Sequence, residues 1–201
     1  MSDHLPRTFV LIDRAPSLVA AWTQCFSDHS EFEALEADFF SRPADAMVSP
    51  ANSFGIMDGG LDLAIRDRLG FEVQREAQRV ILERHHGELH VGQAEVIETK
   101  HEDWPHLVIA PTMRVPESVG RTLNAYLAFR ATLLAVCRFN EAAGSRVIDS
   151  IVCPGLGTGI GGMDAQRCAL QMRMAYRQVS GPARVPSYRQ IHQTHQALVQ
   201  S

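Results

Sequence analysis

The chain has 201 residues, of which 45% are hydrophobic and 21% charged; this is the balance of a globular protein with one buried core, and the length suits a single domain of the usual ~100–200 residues. A net charge of −4 without a Lys/Arg cluster argues against binding duplex nucleic acid through its phosphates. No run approaches the ~20 apolar residues of a membrane helix, and Met1-Ser2-Asp3-His4-Leu5-Pro6-Arg7 lacks the regions of a signal peptide. A cytoplasmic protein with no membrane partner is the expectation.

In chain order, Thr8 to Ile12 reads as a strand, and Pro16-Ser17 opens a helix carrying Leu18, Ala21, Trp22 and Phe26 at helical spacing. Phe32 to Phe40 and Ala46 to Val48 read as strand pieces, with Arg42-Pro43 turning between them. Helices are expected over Asp62 to Leu69 and Val73 to His85, the second burying Val73, Ala77, Val80 and Ile81. Leu89 to Thr99 alternates like a half-buried strand, and Leu107 to Ala110 is a continuous apolar run suited to a doubly covered central strand. A long helix follows from Asn124 to Ala143, with Leu127, Ala131, Leu134, Ala135 and Phe139 on one face and Gly144 as its stop.

Val147-Ile148 and Ile151 to Cys153 supply another strand, and Asp164 to Val179 the last core helix. The tail from residue 186 is polar and reads as a short helix or a frayed end. Strands and helices that alternate throughout predict an α/β chain: a three-layer α/β/α sandwich around a mixed, largely parallel sheet, its core spanning about residues 8–180. Cys25, Cys137, Cys153 and Cys168 form no CxxC pair and lie beside apolar neighbours. They predict neither a disulfide framework nor a zinc site.

Two stretches carry the functional signal. Val48-Ser49-Pro50-Ala51-Asn52-Ser53 leads into Asp58-Gly59-Gly60-Leu61-Asp62, and Pro154-Gly155-Leu156-Gly157-Thr158-Gly159-Ile160-Gly161-Gly162 follows a strand and precedes a helix. Each aims backbone N–H groups and a helix N-terminus at one place, which suits a pyrophosphate. Neither is a P-loop or the dinucleotide fingerprint.

Taken singly, the polar residues have plainer readings. Asn52 is a natural turn former, Asp62 is equally an N-cap or first-turn residue, and Asp38, in the apolar stretch Ala34 to Phe40, reads first as a solvated loop acid. The histidines lack acidic companions at metal-ligand spacing, so no metal is expected.

Together these motifs resemble the macro domain, an ADP-ribose-binding α/β/α module, from about Phe9 to Tyr176. Asp38 and Ser49-Pro50-Ala51-Asn52 fall at the spacing of the family's adenine-binding aspartate and its Asn-Ala-Ala-Asn sequence. Asp58-Gly59-Gly60-Leu61-Asp62 matches its glycine loop and following aspartate, Gly92-Gln93-Ala94 its Gly-x-Ala segment, and Pro154 to Gly162 its second phosphate loop. The phrasing is similar to a macro-like subgroup of bacteria and phages.

The resemblance implies that ADP-ribose sets its adenine near Asp38 and Phe39, its diphosphate on Gly59, Gly60, Leu61 and the amides of Gly157, Thr158, Gly159, Ile160 and Gly161, and its distal ribose by Ala51 and Asn52. No further cofactor is implied. The partner would be ADP-ribose or an ADP-ribosylated protein, and Asn52 and Asp62 have the spacing of the pair that places substrate and water in macro domains that hydrolyse mono-ADP-ribosyl or O-acetyl-ADP-ribose bonds. Alternatives are a non-catalytic reader and a phage-related assembly protein that keeps the fold. Three departures bear on the choice: Ser49 replaces the first Asn, Met57 and Asp58 replace two glycines, and Gly161 stands in place of an aromatic.

Overall fold

In the computed structural model, which describes residues 4–200, six strands form one sheet in the order β2-β1-β6-β3-β5-β4. The strands are β1 (Thr8–Asp13), β2 (Phe32–Glu36), β3 (Ala46–Ser49), β4 (Glu95–Glu98), β5 (His106–Ile109) and β6 (Ser150–Cys153). All neighbours run parallel except β4 against β5. The helices are α1 (Pro16–Cys25), α2 (Gly60–Leu69), α3 (Glu72–His85), α4 (Asn124–Ala142), α5 (Ala165–Ser180) and α6 (Tyr188–Gln200). Met1–Asp3, the start of the stretch expected to lack a targeting segment, lie outside the described residues.

Both sheet faces are buried because strand side chains alternate. Phe9, Leu11, Val48, Val108, Ile151 and Cys153 join Trp22 of α1, Phe129 of α4 and Met172 of α5 in one core. Val10, Ile12, Met47, Leu107, Ile109 and Val152 join Ile65 of α2 and Val73, Ala77, Val80 and Ile81 of α3 in the other. The expected α/β/α sandwich is therefore the observed fold. Among the described residues, no helix is long and apolar enough to cross a membrane.

Local chemistry sets the ends of these elements. Pro16 begins α1, Asp164 caps α5 by accepting from the N–H groups of Gln166 and Arg167, and Gly144 follows α4 at φ +67°. Cys137, Cys153 and Cys168 are buried, and burial pushes the Cys168 thiol up to about 12. The tail forms α6, whose buried Leu198 carbonyl accepts from Gln171.

Four expectations are corrected. β2 stops at Glu36, because the Asp38 carboxylate accepts from the Phe40 N–H at 2.9 Å and opens a short 3-10 turn at Phe39–Ser41. Of Leu89 to Thr99 only Glu95–Glu98 forms a strand, since the chain turns with Gln93 N–H on the His90 carbonyl and Gly92 at φ +97°. The buried face of α4 includes Ala131, as expected, but runs through Ala125, Ala128, Phe129, Thr132, Leu133, Val136, Cys137 and Asn140, leaving Leu127, Leu134, Ala135 and Phe139 partly exposed.

The fourth correction concerns Val147-Ile148, which lies outside β6. The Asn140 side chain accepts from the Ile148 N–H and donates to the Ile148 carbonyl, each at 2.8 Å, and also donates to the His4 carbonyl at 2.9 Å. One buried amide thus ties α4, the entry to β6 and the N-terminal segment together. Asn140→Ala leaves these backbone groups without partners and is expected to cost about 2–4 kcal/mol in denaturant unfolding. A loss under about 0.5 kcal/mol would show that water takes over the bonds.

Candidate functional site

The carboxyl ends of β1, β3 and β6 open onto one cleft of about 430 Å³, the position that ligands take in parallel α/β sheets. It is lined by Asp13, Ala15, Ser17 and Leu18 from β1 and α1, by Asn52, Ile56, Asp58 and Asp62, and by Gly155 and Gly157 to Gly161. Thr112, Met113 and Pro116, beyond the end of β5, complete it.

The glycine loop is built to leave its amides bare. Met163 N–H bonds the Gly157 carbonyl at 2.9 Å, Gly162 N–H the Gly159 carbonyl at 3.0 Å and Val119 N–H the Gly161 carbonyl at 2.8 Å, so the carbonyls are taken up by the fold. Among the described residues, no acceptor is found for the N–H groups of Gly157 through Gly161. The first turn of α2, Gly60 to Asp62, adds N–H groups that have no carbonyl four residues earlier within the helix. Unpaired donors in a concave wall suit an anion.

Packing accounts for two departures from the family pattern. A Cβ on Gly161 would stand 2.5 Å from both the Gly157 carbonyl oxygen and Val119 Cγ2, so no aromatic fits there. Met57 turns inward, 2% exposed, into the core beside α2 and α3. Asp58, by contrast, is exposed and lines the cleft.

Ser49, the third departure, is buried and donates its hydroxyl to the Asp62 carboxylate at 2.6 Å. Asp62 lines the cleft yet is only 9% exposed. Burial raises its pKa to about 6, against the opposing pull of the Ser49 hydrogen bond. The Asn52 side chain closes its own loop: the amide donates to the Ile56 carbonyl at 2.7 Å, and the amide oxygen accepts from the Phe54 and Ile56 N–H groups.

The cleft gathers Ala51, Asn52, Gly59, Gly60, Leu61, Asp62 and Gly157 through Gly161 from the sequence reading. Asp38 and Phe39 are not among the residues lining it. Phe39 is buried in the α2–α3 core, and Asp38, with a side chain 45% exposed, pairs with Arg14 while capping the 3-10 turn. The Phe40 N–H and Arg14 hold the Asp38 carboxyl below the usual carboxylate range. Sequence reasoning missed Asp13, Thr112, Met113 and Pro116, and singled out Ser49 only as a departure from the family pattern, not as a partner of Asp62. A polar residue ending an apolar strand was the available signal for Asp13 and Ser49.

In comparison with known proteins, a protein of Aquifex aeolicus (strain VF5) is 32% identical over 142 residues, 71% of this chain and 78% of its own length. One from Aeropyrum pernix is 31% identical over 132 residues, 66% of this chain and 63% of that protein. Among solved structures, the macrodomain of Mycobacterium tuberculosis DarG superposes with a TM-score of 0.56 at 21% identity, covering 72% of this chain and 88% of the other. Thermosipho africanus DarTG in complex with ADP-ribose gives 0.54 at 19% identity, over 75% and 42%. Residues 48–172, more than half of the chain, match the family model described as Macro domain, and with these relatives the chain belongs to the macro domain family.

Proposed function

We propose that the cleft binds ADP-ribose or an ADP-ribosyl derivative. The bare amides of Gly157 through Gly161, which line the same cleft as the first turn of α2, are the observation that carries this reading, because they offer a diphosphate donors that the fold leaves unused. The adenosine end would lie by the ends of β1 and β2, near Asp13 and Asp38, and the distal ribose toward Asn52. Solved relatives with ADP-ribose bound lend support at the level of the family.

Hydrolysis of a mono-ADP-ribosyl or O-acetyl-ADP-ribose bond is the chemistry we favour. A cleft carboxyl with a pKa near 6 is close to the operating pH of a general base, and Ser49 holds it in place. In this reading Asp62 takes a proton from the water whose oxygen bonds to C1″, the bond from C1″ to the departing oxygen or nitrogen breaks with its electron pair leaving on that atom, which takes up a proton as it departs, and Asn52 shapes the loop under the distal ribose. A reader without chemistry is the second reading, favoured because the Asn52 side chain is spent within its own loop.

Calorimetric titration with ADP-ribose, with AMP as control, tests the binding step. Heat with ADP-ribose that far exceeds that with AMP is expected. Equal affinity for both would mean that the glycine loop does not hold a diphosphate, and absence of heat with either would leave the fold serving another role, such as assembly. Release of ADP-ribose from a modified peptide separates hydrolase from reader.

A further inference from the structure

We propose that the ligand's C1″ substituent is positively charged: the cleft recognises an ADP-ribosyl group that ends in a cation. This rests on the ADP-ribose reading above and adds the substrate class. The lining contains three carboxylates, Asp13, Asp58 and Asp62, and no Lys, Arg or His. The two phosphate charges are therefore met by backbone dipoles alone, and every full charge on the wall repels them.

Asp58 is the informative one. It is exposed, on the loop that would flank the distal ribose, where the family pattern has a glycine. Alone it weakens binding of a dianion, and it becomes complementary when the ligand brings a positive charge to that end. The surroundings fit a flat or alkyl-bearing cation: Ile56, 41% exposed, and Ile160, 66% exposed, line the same cleft with Pro116. Two sources share this chemistry, a guanidino-linked side chain and the pyridinium ring of an oxidised nicotinamide dinucleotide.

The experiment measures binding by the parent chain and Asp58→Asn, beginning with free ADP-ribose. One arm compares NAD+ with NADH, which differ by one charge at the C1″ group. The other compares arginine-linked with glutamate-linked ADP-ribosyl peptides of otherwise identical sequence. The parent is expected to favour the cationic member of at least one pair by roughly two- to fivefold, with the preference shrinking as salt rises. Asp58→Asn should erase the preference and bind free ADP-ribose slightly more tightly.

A preference confined to the dinucleotide pair would assign the pyridinium, and one confined to the peptides the guanidino group. A parent that binds ADP-ribose but treats both pairs alike, or a preference that survives Asp58→Asn, overturns the inference while leaving the ADP-ribose reading intact. If free ADP-ribose itself does not bind, both fall.

Discussion

Gly159→Glu is expected to abolish ADP-ribose binding, by at least about a hundredfold, while leaving the protein as stable as the parent. The two halves of this expectation have separate causes. A Cβ at Gly159 meets nothing within 4 Å, and the residue does not have the positive φ seen at Gly157 and Gly162, so folding tolerates the side chain. The new carboxylate, however, stands on the loop whose amides would hold the diphosphate and adds to a wall that already carries Asp13, Asp58 and Asp62. Repulsion between like charges in a partly enclosed cleft is costly.

Gly157→Val is the contrasting variant. At φ +74°, with a Cβ only 2.9 Å from Val119 Cγ2, it should lose stability as well as binding. Thermal unfolding and calorimetric titration of both variants distinguish the causes. Gly159→Glu that still binds ADP-ribose within about threefold of the parent would remove the loop from the phosphate site.

Asp62→Asn should stabilise the protein near neutral pH and end hydrolysis. The folded carboxyl has a pKa of about 6, above the 3.8 of an unperturbed aspartate. Between those values the folded state holds a proton that the unfolded state has released, so stability falls as pH rises through this window and levels off above it. At 1.36 kcal/mol per pKa unit, the loss amounts to at most about 3 kcal/mol. Asparagine has no proton to lose and still accepts from Ser49, so the variant escapes this penalty.

The gain in unfolding free energy should be small near pH 4 and grow to about 1–3 kcal/mol by about pH 7. Denaturant titrations at several pH values check this; a difference that does not change with pH would mean that folding leaves the pKa of Asp62 unshifted. In turnover assays the variant should retain ADP-ribose binding within a few-fold and release no product. Turnover equal to the parent would take Asp62 out of the mechanism.

Much of the architecture was legible from local pattern. Val73, Ala77, Val80 and Ile81 on α3 are spaced at the helical period and are buried together. The continuous run Leu107 to Ala110 is a doubly covered central strand, as its lack of alternation indicated. Errors arose where a polar side chain competes with the backbone ladder. Asp38 ends β2, Asn140 takes both backbone bonds of Ile148, and the buried Thr132 satisfies itself on the Ala128 carbonyl, which hid the true inner face of α4.

Sequence alone pointed to the two loops that line the candidate site. Both glycine loops follow a strand and precede a helix, a setting in which backbone amides are available to an anion, and both line one cleft. Tertiary structure decided which side chains face that cleft and in what state. Ser49 meets Asp62 only because β3 ends beneath the first turn of α2, and burial there, rather than residue type, sets the carboxyl near 6. Asp13 lines the cleft because β1 lies between β2 and β6, whereas Asp38 is drawn outward by Arg14 and its own cap. Strand order, burial and the competition for hydrogen bonds are properties of contacts between segments distant in the chain, and spacing within one segment does not encode them.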